Sequence, residues 1–258
     1  MGNGKFLVAA AAAAGILIFI GLGVCRMNSV WKKSAPRERA DLKADGPFDV
    51  GALEGTGKSR QVVIVAAQRY GLSDAFLQTW EKNGNAWRQG MAPVQAVVGM
   101  GGFAAPGEKR EGDHKSPSGV FSIPMCFGNR PNPGVRFPYR QVDTDSYWVD
   151  DPESAFYNTF QTGEADGRWK SAENLGLTGA EYDYAAVIGY NTEKRVPGKG
   201  SAIFLHVWNG PGSATEGCTA LSEENLLSVL KWLDPAKDPV IIEGVAGEIP
   251  KLRRGEDE

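Results

Sequence analysis

Histidine and cysteine are scarce in this chain, with two His and three Cys among 258 residues. That is too few for an array of zinc fingers or for a small domain held by disulfides. A basic excess is missing too: 28 Lys and Arg face 31 Asp and Glu, a net charge of −3. The chain therefore lacks the electrostatic footprint of a nucleic-acid binder. No internal repeat is visible. What is present is core material. Seven Trp, seven Tyr and eleven Phe, within 42% apolar residues, exclude disorder throughout and suit one ordinary globular domain.

One run departs from that average. Phe6 to Val24 is a stretch of 19 residues with no charged or strongly polar side chain. As a helix it would extend roughly 28 Å, close to the ~30 Å of a bilayer core. Residues 1–25 are thus expected to be a signal anchor or a cleaved signal peptide. Gly21-Leu22-Gly23 offers a small-x-small cleavage site, but the run exceeds the ~7–15 residues of a signal h-region, which favours a membrane-spanning anchor. The flanking charges argue the other way. Lys5 alone precedes the run, whereas Arg26, Lys32, Lys33, Arg37 and Arg39 follow it, a bias that would keep the following domain in the cytoplasm.

Residues 26–59 are polar and without periodicity, and read as a linker. A folded domain is expected over 60–245, with a charged, frayed tail at 246–258. Strands are expected at Val62–Val65, Ala75–Trp80, Val94–Val98, Val120–Ile123, Ser146–Val149, Tyr184–Tyr190, Ala202–Val207 and Val240–Glu243, with a hairpin at Asn83-Gly84. Gly99 to Gly119 looks too polar for core and is expected to be a surface loop. One helix stands out, Glu223–Leu233, with Ser222 as N-cap and Leu226, Leu227, Leu230 and Leu233 on one face. The fold class is mainly β with one late amphipathic helix.

Chemistry concentrates in two segments. Ala202-Ile203-Phe204-Leu205-His206-Val207-Trp208 is an apolar strand with one histidine. Thr215-Glu216-Gly217-Cys218-Thr219-Ala220-Leu221-Ser222 leads into the helix. Eleven residues rich in Gly and Pro separate His206 from Cys218, so a folded-back loop can join imidazole and thiol. A thiol needs such a neighbour to act as a nucleophile near neutral pH. Gly217 would let backbone amides approach an oxyanion. The bland alternatives are a small buried thiol, a hydrogen-bonded core histidine, or a Cys126–Cys218 disulfide that would block the nucleophile. No metal-ligand spacing is recognisable.

Gly200 to His206 followed by Thr215 to Leu221 resembles the catalytic signature of the L,D-transpeptidase (YkuD-like) family. Gly112-Asp113-His114-Lys115-Ser116-Pro117-Ser118-Gly119-Val120-Phe121, the stretch Trp148 to Asn158, and Ile188-Gly189-Tyr190-Asn191 are similar to it in the same order, over about residues 90 to 243. The resemblance implies a β-sandwich-like fold and acyl transfer on peptidoglycan stem peptides. It makes Cys218 the nucleophile and His206 the base, oriented by a backbone carbonyl in the intervening loop. It also implies that Gly217, Thr215, Thr219, Trp208, Tyr190 and Asn191 bind substrate. No cofactor, metal or nucleic acid is implied, and the location is the bacterial envelope, on its periplasmic or extracytoplasmic face. Hydrolysis of the same bonds as an L,D-carboxypeptidase or endopeptidase, an inactive wall-binding module, and a cytoplasm-facing thiol enzyme are the alternatives.

The motif departs from the commoner family pattern, in which Ser-x-Gly-Cys is followed by a hydrophobic residue and Arg, and His by Gly. Thr215, Ala220 and Val207 stand at the Ser, Arg and Gly places. Arg195 and Lys199 are the nearby cations available to replace the Arg, each otherwise a solvated loop charge. His114 is expected in a solvated loop with Lys109 and Lys115. Asp150 and Asp151 are either a pair of acid–base carboxylates or a turn before Pro152. Trp80 and Trp87 are expected in the core.

Overall fold

The computed structural model describes residues 48–254. The expected anchor or signal peptide, most of the linker and the last four residues lie outside them. Among the described residues no helix is long and apolar enough to cross a membrane.

The domain grows from β1 (Gln61–Ala67), which is buried on both faces. Val63, Val65 and Ala67 enter the main core, whereas Val62 and Ile64 enter a second one. Burial on both faces explains why the strand reads as a continuous apolar run rather than an alternating one. It pairs in parallel with β13 (Val240–Val245) and antiparallel with β2 (Asp74–Asn83). The hairpin at Asn83-Gly84 leads into β3 (Ala86–Val97), with Asn83 opposite Ala86. β3 is far longer than the expected Val94–Val98, because a bulge takes up Pro93: Leu77 pairs with Val94, but Thr79 already pairs with Met91.

β4 (Gly119–Ser122), β7 (Ser146–Val149), β10 (Ala185–Val187) and β11 (Phe204–Val207) fall within or beside expected strands. β5 (Cys126–Gly128), β6 (Tyr139–Gln141), β8 (Phe160–Thr162), β9 (Ala172–Asn174) and β12 (Thr219–Leu221) were not anticipated, since three residues carry no periodic signal. The main sheet has ten strands in the order β4-β13-β1-β2-β3-β12-β11-β10-β5-β6, and a second has three, β8-β7-β9. The large sheet is strongly curled. Thr219 on β12 donates a hydrogen bond to Glu243 on β13 at 2.9 Å, although β1, β2 and β3 lie between their strands.

The helix α1 (Glu223–Trp232) starts where expected, with Ser222 accepting from the Asn225 N–H. Its buried face is Leu226, Val229, Leu230 and the capping Leu233, with Val229 rather than Leu227 completing it. Three further readings are revised. The 99–119 stretch is not a surface loop, for Phe103, Ala104, Lys109, Ser116 and Ser118 within it are buried. Ile249 and Leu252, in the expected frayed tail, pack in the second core together with Val50 and Leu53 of the expected linker. Cys126 and Cys218 are both free thiols, and Cys126 is sealed in the main core.

Candidate active site

β11 and β12 run parallel, with Leu205 opposite Thr219 and His206 opposite Ala220. Parallel neighbours need a crossover, and the loop from Trp208 to Cys218 supplies it without a helix. Its last turn is held from both sides. Thr215 Oγ1 donates to Cys218 O at 2.6 Å and accepts from the Gly217 N–H at 3.2 Å. Ser116 Oγ lies 2.7 Å from Gly217 O and 3.0 Å from Cys218 O, and accepts from the Gly99 N–H. Gly217 has φ 149°, and a Cβ there would come within 3.0 Å of Lys115 O, so the close approach needs glycine.

The Cys218 side chain sits beside β11. Its Sγ accepts from the Phe204 N–H and donates to Ala202 O, each at 3.3 Å. Ala202 is itself held at φ 54°, a left-handed conformation that alanine seldom adopts, with its N–H bonded to Asn158 Oδ1. Asn158 also accepts from the Trp148 indole and donates to Tyr190 O and Asn191 O. Beneath Cys218, Phe204 is enclosed by edge-on contacts with Phe127, Trp148 and Tyr182.

His206 is buried, with its ring edge-on to Tyr182. Its Nδ1 lies 2.8 Å from Val207 O. A carbonyl only accepts, so Nδ1 carries the hydrogen and Nε2 of the neutral ring keeps its lone pair. Burial lowers the imidazole pKa, against which the Val207 carbonyl and Glu181 pull weakly. Burial raises the Cys218 thiol, and the Glu173 carboxylate adds to that. Tyr182 donates to Glu173 at 2.7 Å, and burial raises the Glu173 carboxyl as well.

His206 and Cys218 line one cleft of about 450 Å³, together with Trp208, Thr215 and Gly217. The remaining expected substrate contacts do not. Thr219 points through the sheet to Glu243. Tyr190 is in the main core, its hydroxyl donating to Lys199 O. Asn191 is buried and ties down its own loop through Val196 and Gly200. Their motif is a scaffold for the cleft rather than its wall.

Of the paired aspartates only Asp150 lines the cleft. Asp151 caps the turn, accepting from the Glu153 and Lys170 N–H groups, which hold its carboxyl below the usual range. His114 reaches the cleft and pairs with Glu216. Trp80 is core, as expected, and Trp87 packs against the second core. Lys109, expected in a solvated loop, is instead buried at the cleft, and Glu111, Glu173 and Glu181, which the sequence did not single out, also line it. Among the described residues no group of three or more His, Cys, Asp or Glu could hold a metal ion.

A sequence profile of the L,D-transpeptidase catalytic domain, YkuD, matches residues 60–242. The chain belongs to the YkuD family. Its catalytic domain thus carries the Cys218 loop and the His206 strand within the matched region. No curated protein matches the sequence. Among solved structures it is similar to the helical cell shape determining protein Pgp2 from Campylobacter jejuni, at 16% identity and TM-score 0.43, covering 81% of this chain and 55% of that one. A point variant of Pgp2 gives 16% identity and TM-score 0.37, covering 81% and 60%. The chain therefore spans little more than half the length of these structures.

The departures from the commoner YkuD motif lie close to His206 and Cys218. Ala220, at the usual Arg place, is fully buried and stands opposite His206 in register. Neither Arg195 nor Lys199 lines the cleft, but Lys109 does. Its ammonium donates to Asp113 and to Arg110 O, both at 2.7 Å, and its charge favours the Cys218 thiolate. The cation near the Cys218 thiol comes from the 99–119 loop, not from the strand after the cysteine.

Proposed function

We propose that this YkuD domain catalyses acyl transfer on peptidoglycan stem peptides, with Cys218 as nucleophile and His206 as general base. The observation that carries the reading is a free thiol just before β12 and a buried imidazole with an available Nε2 lone pair on the neighbouring β11, both lining one cleft. His206 Nε2 takes the thiol proton as sulfur attacks the carbonyl of the L,D peptide bond. The Cys218 main-chain N–H, after the Thr215–Gly217 turn, is the donor assigned to the developing oxyanion. The C–N bond then breaks, the imidazolium proton passes to the departing D-amino acid, and a thioester remains. In the second half an acceptor amine gives its proton to His206, forms the new amide and releases the thiol. Val207 O keeps the ring in the required tautomer, so no acidic third residue is needed.

Transfer and hydrolysis share this thioester and differ in whether an acceptor amine or water takes the acyl group. On this reading the domain works at the extracytoplasmic face of the envelope, where stem peptides are, with residues 1–25 as its proposed anchor. Purified protein incubated with muropeptides and followed by mass spectrometry is expected to give cross-linked dimers. Shortened monomers alone would replace the transferase by an L,D-carboxypeptidase. No product, together with no carbapenem adduct at Cys218, would leave a binding module.

A further inference from the structure

Glu243 is a fully buried carboxylate of the main sheet that the proposed chemistry leaves unused. It is 0% exposed, on β13 between Val65 of β1 and Gly119 of β4. One oxygen accepts from Thr219 Oγ1 at 2.9 Å, and the other has no hydrogen-bond partner among the described residues. A buried carboxyl with a single hydrogen bond is costly to keep and calls for a physical reason. Thr219 directly follows Cys218, so Glu243 grips the nucleophile's strand from the face opposite the cleft.

We propose that Glu243 is a positioning residue for the Cys218 nucleophile: it holds Thr219 from inside the sheet and sets, by its own charge, how readily the neighbouring thiol ionises. This rests on Cys218 being the nucleophile. The neighbours across the ladder and the hydrogen bond, Val65, Gly119 and Thr219, are uncharged, and Cys218 feels the negative charge of Glu243. On the cleft side of β12 the same thiol is opposed by Glu173 and favoured by Lys109. Desolvation pushes the Glu243 carboxyl up to about 8. Below that pH it is neutral and adds nothing against thiolate formation. Above it, the second negative charge holds the thiol protonated, and Cys218 gains reactivity less steeply with pH.

The test is alkylation of the full chain by iodoacetamide from pH 6.5 to 9.5, with the Cys218 peptide quantified by mass spectrometry to separate it from Cys126 and Cys25. The E243Q/wild-type rate ratio is expected to rise by about threefold or more across this range, equivalent to half a pKa unit. A ratio constant with pH would reduce Glu243 to a packing role and overturn the proposal. Should E243Q fail to fold, the wild-type Glu243 carboxyl is titrated by carbon-13 NMR. A midpoint near 8 supports the proposal, and one near the ordinary 4.5 overturns it. Iodoacetamide requires no peptidoglycan. A Glu243-dependent profile in protein that turns over no muropeptide therefore removes the enzyme reading and keeps the coupling.

Discussion

Burial pushes Cys218 and His206 in directions that leave both uncharged, raising the thiol and lowering the imidazole. The resting pair is thiol and neutral imidazole, not a preformed ion pair, so the proton moves as sulfur attacks. On the proposed chemistry a base with Nδ1 fixed on Val207 O is then required. His206→Ala is expected to lower kcat for muropeptide turnover by ~10²–10⁴, the usual range for loss of a general base. Steady-state kinetics checks this, with KM reporting whether the cleft survives. His206 and Cys218 were legible because so few residues of either type exist. The misplaced contacts, Tyr190, Asn191 and Thr219, were near the site in sequence but have their side chains turned into the core or through the sheet. Strand geometry explains Thr219, since successive side chains alternate between faces.

The 99–119 loop shows how an element was misread. Its composition is polar, yet its backbone lies against the nucleophile turn, and a Cβ at Gly99 would sit 2.5 Å from His114 O. Ser116 is fully buried there and serves Gly99, Gly217 and Cys218 at once. Ser116→Ala leaves these main-chain groups without that partner. It is expected to cost about 1–3 kcal/mol, measured by urea unfolding, and to slow alkylation of Cys218. The helix was legible because Ser222, two glutamates and a 3.6-residue apolar stripe agree with one another. The three-residue strands were not, as their pairing is decided by distant partners rather than by local pattern.

For the whole molecule, buried titrations set the pH dependence of stability. Glu243 has its folded pKa raised to about 8, so between 4.5 and 8 the native state binds more protons than the unfolded state, and stability falls as pH rises. Glu173, also raised, adds in the same sense. His206, lowered from 6.5, binds fewer protons when folded and offsets this below that pH. The depressed carboxyls of Glu81 and Asp113 take stability away as pH falls below about 4.5. Stability should therefore fall by about 2 kcal/mol from pH 6.5 to 8, where the Glu243 carboxyl loses its proton, at ~1.4 kcal/mol per proton and pH unit. Urea unfolding at pH 6.5 and 8 checks it, and E243Q should remove most of the fall.

The amino-acid sequence by itself determined the mainly β class, the late helix with its cap, the longer core strands and the His206 and Cys218 pair. These are local patterns, or rarities, that a single stretch of chain carries. The tertiary structure alone decided that Lys109 would supply the cation near the thiol, that Tyr190 and Asn191 would be scaffold, and that Glu243 would meet Thr219 across the curl. Those outcomes depend on which faces a ten-stranded sheet brings together as it curls. Contacts between residues far apart in the chain leave no periodic trace in either segment.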